Sequence, residues 1–255
     1  RGILFCIEGR WITSILQIPA GAPGCGTALP GTEMTHKSSA MIAQGRFVTL
    51  EGLDGSGKTT QLSLLAEHLR SRGLEVCETR EPGGTETGER LREILLEKNA
   101  HAVCDQTELL LLFAARAQHI AQVIQPALQK GTWVLCDRFT DATFAYQGGG
   151  RGIPLSIIEN LEHMVHGECT PDCTLLLDIP AEKSTERTGS RGKTQDRIEM
   201  LDLEFKQRVR QAYLDRQQSQ PGRIHRLDGQ GSIDSVQKAI LGILADLDVQ
   251  GWGDE

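Results

Sequence analysis

Residues 52–59, Gly52-Leu53-Asp54-Gly55-Ser56-Gly57-Lys58-Thr59, have the spacing G-x-x-x-x-G-K-[ST]. Glycines let a backbone curl until successive N–H groups face one point, and a following helix adds its positive N-terminus. Such a loop cradles nucleotide phosphates. Lys58 is spaced to reach the β- and γ-phosphates, and Thr59 to offer an oxygen to a divalent cation. The competing reading is a chance glycine turn. The apolar run before the loop and the helical stripe after it weigh against that. Asp54 puts a negative charge inside a loop built for anions, so its carboxylate should face away from the phosphates.

Other chemistry-bearing residues are spread along the chain. The run Val134-Leu135-Cys136-Asp137 is apolar and ends in a carboxylate, as a metal-side acid of a nucleotide-binding sheet does. Arg138 follows at once and suggests a second phosphate nearby; a surface ion pair is the plainer alternative. In "TREPGGT", residues 79–85, Arg80 has the forked geometry for phosphate, and Pro82 with the glycine pair fixes a sharp loop. Phe113 and Arg116 share a helix face at a spacing of three. They read either as a clamp for a base or as a core phenylalanine beside a solvated arginine. The polar stretch 185–199 carries Arg187, Arg191, Lys193 and Arg197. It reads as a mobile lid that brings a cation onto a transferring phosphoryl group, or as a solvated loop.

These positions need elements to hold them. "RFVTLE", "LEVCETRE", "TWVLCDR", "CTLLLDIP" and "RIHRLDG" read as strands. Helices are expected in "KTTQLSLLAEHLRSRG", "TGERLREILLEKN", residues 105–130, "PLSIIENLEHMVHG", "LDLEFKQRVRQAYLDRQQ" and "SIDSVQKAILGILADL". Asp105 and Glu108 have capping-box spacing at the start of the long helix. "LDLEFKQRVRQAYLDRQQ" reads as exposed and charged. Alternating strands and helices predict an α/β fold with a five-stranded parallel sheet and helices on both faces. Ligands of such sheets sit at the strands' carboxyl ends, where the chemical positions fall. One domain is expected over residues 45–250. Residues 1–44 read as an irregular, dispensable extension with a Gly/Pro/Ala-rich stretch, since the chain opens on Arg1 and Met34 and Met41 stand just before the regular pattern.

The net charge of −7 argues against broad nucleic-acid binding. No apolar run approaches the ~20 residues that span a bilayer. The seven cysteines, Cys6, Cys25, Cys77, Cys104, Cys136, Cys169 and Cys173, form no C-x-x-C and read as free thiols of a cytoplasmic protein.

Taken in order, "EGLDGSGKTT", "REPGGT", "FAARAQH", "CDRFTDATFAYQGGGRG" and "DRIE" resemble the bacterial thymidylate kinases, which pass the γ-phosphoryl group of ATP to dTMP for dTTP synthesis. The resemblance runs from Glu51 to Glu199 and implies a P-loop kinase fold. It implies that residues Gly52 to Thr60 bind ATP, with Lys58 and Thr59 on ATP and Mg2+ and Asp137 around metal and phosphates. Arg80 and Arg138 would hold the dTMP phosphate. Arg116 with Phe113, or with its neighbour Leu112, would contact thymine, because relatives place an aromatic where Leu112 stands. Thr143, Tyr146 and Gln147 would complete the base and sugar pocket, and Asp54 would point to the acceptor 3′-hydroxyl. Members carry the catalytic arginine either in the phosphate loop or in the lid. Leu53, Asp54, Gly55 and Ser56 include none, which implies a lid over about residues 186–199 with Arg191 as the cation and leaves Lys193 without an assigned role. A homodimer is implied as well. The alternatives are another nucleoside or nucleoside-monophosphate kinase, or a P-loop ATPase module; a GTPase switch would need an N-K-x-D motif that the sequence lacks.

Overall fold

The computed structural model describes residues 5–7, 10–12, 45–97, 103–189 and 202–248, with side chains of the last helix to residue 245. The chain divides into two units, Arg1–Ala40 and Met41–Glu255. In the first, strand β1 (Phe5–Ile7) pairs antiparallel with β2 (Arg10–Ile12), a hairpin that the sequence reading of an irregular extension did not include.

The second unit holds β3 (Phe47–Glu51), β4 (Val76–Arg80), β5 (Trp133–Asp137), β6 (Cys173–Asp178) and β7 (Ile224–Asp228). They form one sheet in the order β4-β5-β3-β6-β7, and every pairing is parallel. The expected five-stranded parallel sheet is present. Its strands alternate faces with the period of two that a pleated strand imposes. Val48, Leu50, Trp133, Leu135, Leu175 and Leu177 pack with Leu62, Leu65 and Leu69 of α1 (Lys58–Ser71) and with Val236, Ile240 and Leu244 of α9 (Ile233–Asp248). On the other face, Phe47, Val134 and Cys136 pack with Ile120 and Ile124. Buried strands covered on both sides read as near-continuous apolar runs, which is why they were visible in the sequence.

Helix α2 (Glu86–Leu96) starts on a Thr85 cap, whose side chain accepts from the Gly88 N–H at 2.9 Å. The long helix is α3 (Asp105–His119), a π-helical turn Ile120–Ile124 and α4 (Gln125–Gln129). The expected capping box is absent. Cys104 is the cap residue, and the Glu108 side chain turns inward instead. After β5, α5 (Thr140–Thr143) runs into a π-helical segment Phe144–Gly150, an element that the sequence reading omits. Helix α6 (Leu155–His166) follows. Helix α8 (Leu203–Ser219) is not the solvated helix expected: Phe205, Val209 and Tyr213 are buried. The first part of the expected lid is ordered as α7 (Ala181–Gly189). There Arg187 Nη1 donates to the carbonyls of Gly55 and Gly229 at 3.1 Å each, so it is fastened to the phosphate loop. Arg191, Lys193 and Arg197 lie outside the described residues.

Candidate active site

The loop between β3 and α1 takes backbone conformations that favour glycine. Gly52, Gly55 and Gly57 have φ of 130°, 80° and 101°. A Cβ on Gly52 would drive into the Leu177 carbonyl, so close strand contact fixes that glycine as well. Helix α1 starts at Lys58 with no side-chain cap, which leaves its first N–H groups without a capping side chain. Ser56 Oγ is buried without a hydrogen-bond partner. Lys58 Nζ, also buried, donates to the Gly52 and Leu53 carbonyls at 3.0 Å each. Burial and the nearby Arg138 charge lower the Lys58 pKa, the condition of an ammonium waiting for anions. Thr59 Oγ1 donates to Asp137 Oδ2 at 3.0 Å, so two hard oxygens from β5 and α1 stand side by side.

Arg138 sits at the end of β5 with φ of 72°, outside the region a side chain prefers. Three partners hold it there. Nη2 donates to Asp54 Oδ1 at 2.7 Å and to the Tyr146 hydroxyl at 3.2 Å, and Nη1 donates to the Tyr213 hydroxyl at 3.1 Å. Tyr213 in turn donates to Glu51 Oε2 at 2.7 Å. Burial works to raise the Asp54 pKa, but the Arg138 and Lys58 charges win and hold it at about 2. Burial, with the Asp141 charge adding, pushes Glu51 up to about 7. Two carboxylates three residues apart are thus driven in opposite directions, one kept charged and one eased toward its neutral form.

At the far end of the cleft lies Arg116, 2% exposed. Its Nε donates to Glu81 Oε2 at 2.7 Å, and its Nη2 to Thr143 Oγ1 at 2.9 Å and to the Phe139 carbonyl at 3.2 Å. His119 holds the other Glu81 oxygen at 3.0 Å. Burial would raise Glu81, but Arg116 and His119 keep it below the ordinary carboxylate value. Nη1 of Arg116 is buried and has no partner. A cleft lined by the loop, Arg80, Arg116, Arg138, Tyr146 and Gln147 joins the two ends.

Residues 50–240 match the sequence model of the thymidylate kinase family. The chain belongs to the thymidylate kinase family. It is similar to the thymidylate kinase of Methylobacillus flagellatus, 50% identical over 201 residues that cover 79% of this chain and 97% of that protein. The thymidylate kinase of Pseudomonas entomophila is 52% identical over 200 residues, 78% and 95% of the two chains. The crystal structure of the thymidylate kinase from Ehrlichia chaffeensis matches with a TM-score of 0.66 and 35% identity, over 79% of this chain and 99% of that one.

Within this thymidylate kinase fold, Asp54, Lys58, Thr59, Thr60, Arg80, Arg116, Asp137, Arg138, Thr143, Tyr146 and Gln147 meet around one cleft. Phe113 does not join them. It is 2% exposed and packs with Leu109, Phe144 and Ile158, while Leu112 lines the cleft. One residue along a helix turns the side chain by about 100°, and the apolar pocket under α3 takes the larger ring. Phe113 still serves the site from beneath, since the Arg116 guanidinium stacks 4.9 Å from its ring centre. Arg80 is half exposed, with Nη2 on Glu89 Oε2 at 2.8 Å. Sequence reasoning missed Glu51, Glu81, Glu108 and Tyr213. Two of these had a visible signal: Glu51 is a carboxylate closing an apolar strand, and Tyr213 follows Phe205 and Val209 at steps of four. Glu81 and Glu108 carry no local mark, because their partners are distant in sequence.

Proposed function

We propose that the chain transfers the γ-phosphoryl group of ATP to dTMP, giving ADP and dTDP. The observation that carries this reading is the single cleft with a phosphate loop at one end and an unpartnered buried arginine donor, Arg116 Nη1, at the other. The loop fits a polyphosphate: α1 is uncapped, Ser56 Oγ lacks a partner, and Lys58 is ready to exchange carbonyls for phosphate oxygens. Thr59 and Asp137 would hold Mg2+, which would supply positive charge against the phosphate oxygens.

In this reading Lys58 and the loop N–H groups orient the donor. Arg138 and Arg80 bind the acceptor phosphate, and the Asp54 carboxylate fixes the Arg138 fork. Tyr146 closes the sugar side, and Arg116 with Gln147 reads the base edge. Such chemistry needs position and charge neutralisation more than covalent help. Arg191 supplies the remaining cation from the lid. Arg191→Ala is therefore expected to lower kcat ~10³-fold, far more than it raises KM for dTMP. A KM loss with kcat intact would remove Arg191 from this role. We also propose that the chain acts in the cytoplasm and that it is a homodimer, for which Leu110, Ala114 and Ala117 offer an exposed small and apolar stripe on α3.

ATP and dTMP should yield ADP and dTDP mole for mole. ATP consumption at the same rate without an acceptor would favour an ATPase module instead.

A further inference from the structure

Glu108 lies in the first turn of α3 and is 1% exposed. Its Oε1 accepts from Gln147 Nε2 at 2.8 Å. Arg151 holds the same carboxylate, Nε to Oε1 at 3.4 Å and Nη2 to Oε2 at 3.2 Å. A carboxylate in its ionised form only accepts hydrogen bonds. Arg151 favours that form, because a buried anion with a fixed guanidinium partner is far cheaper than one without.

This decides which way the Gln147 amide faces. Its NH2 group must meet Glu108, so its carbonyl oxygen Oε1 points away. Oε1 takes no hydrogen bond among the described residues, and Gln147 lines the cleft. Thr143, four residues earlier on the same helical run, accepts from Arg116 at 2.9 Å. Thr143 and Gln147 therefore stand on neighbouring turns, and Arg116, bonded to Thr143 from α3, brings its partnerless Nη1 donor to the same cleft wall. A donor beside an acceptor matches a ring carbonyl beside a ring N–H, the edge of a 4-oxo pyrimidine. A 4-amino pyrimidine offers the reverse pair.

We propose that Glu108 is a specificity-determining positioning residue: by fixing the Gln147 amide, it makes the cleft wall an acceptor and selects 4-oxo over 4-amino pyrimidine acceptors. This rests on the proposed dTMP kinase reading. Arg151 belongs to the device, since it fixes the carboxylate that does the fixing.

The test is a double-mutant cycle with Glu108→Gln and Gln147→Ala, read as kcat and KM for dTMP and dCMP, with ATP KM as control. Glu108→Gln lets the amide turn either way. It is expected to raise dTMP KM about tenfold with kcat within about twofold, and to lower the dTMP-to-dCMP ratio of kcat/KM about tenfold. The double variant should be no worse than Gln147→Ala, because Glu108 acts through Gln147. Multiplying losses, or an unchanged ratio, would overturn the proposal. The exchange Glu108→Gln with Gln147→Glu keeps one amide and one carboxylate and returns an acceptor to the cleft. It should recover most of the lost dTMP preference; a folded exchange variant without that preference also overturns the proposal, even where Glu108→Gln alone does not fold. A wild-type chain that fails to phosphorylate dTMP overturns the functional reading as well, whereas an active wild type with multiplying losses overturns this inference alone.

Discussion

A single guanidinium shows how tightly residue roles are shared. Arg116 spans Glu81, Thr143 and the Phe139 carbonyl, stacks over Phe113, and keeps its Nη1 without a partner. A lysine offers a point charge and cannot span such a fork. Arg116→Lys should raise KM for dTMP by ~10- to 100-fold and leave KM for ATP near wild type, which steady-state kinetics with each substrate varied would check. Arg116 was legible because it sits at a fixed step from the apolar stripe of its helix. Its anchors Glu81 and His119 were not, since 35 and 38 residues of chain separate Arg116 and His119 from the Glu81 carboxylate they share. Asp54 was legible only in part. Its place in the loop predicted a carboxylate turned from the phosphates, but Arg138, 84 residues later, is what turns it.

Elements that read well from sequence are those whose pattern repeats. The inner strands β3, β5 and β6 announced themselves by apolar runs and the helices by stripes. One segment did not, and one helix hid its buried face. The π-helical segment Phe144–Gly150 ends in three glycines, which local propensity would never make helical. Tertiary packing explains it: α8 lies so close that only glycine fits. A Cβ on Gly149 would run into the Ala212 Cβ, and one on Gly150 into the Phe205 ring. Gly149→Ala is thus expected to destabilise the fold by ~1–3 kcal/mol despite its better helix propensity, measurable by urea unfolding. The same packing buries Phe205, Val209 and Tyr213, which the many charges of α8 concealed. A stabilising effect of Gly149→Ala would mean that the two elements do not press together as described.

In the second unit, the parallel order β4-β5-β3-β6-β7 brings the phosphate loop, Arg80, and the Asp137–Arg138 pair to the carboxyl ends of three neighbouring strands. The core extends this order to stability. Glu51, buried under the site, accepts from the Phe139 N–H at 2.7 Å and from Tyr213 at 2.7 Å. Its folded pKa of about 7 lies above the ordinary 4.5. Between those values the folded chain binds more protons here than the unfolded chain, so this site's contribution to stability falls as pH rises from about 4.5 to about 7. The stability of wild type minus that of Glu51→Gln should accordingly be greater at pH 5 than at pH 8, by up to ~3 kcal/mol in urea unfolding. A difference that stays flat with pH would contradict the burial described for Glu51.

In the proposed reaction one cleft joins ATP to a thymidylate acceptor. The most direct test is ADP release with dTMP, dUMP, dCMP, dGMP and AMP, each compared by kcat/KM under the same ATP and Mg2+. dTMP should be clearly the best acceptor, with dUMP next because it keeps the same base edge. Another nucleotide ahead of dTMP, or equal rates across the panel, would contradict it.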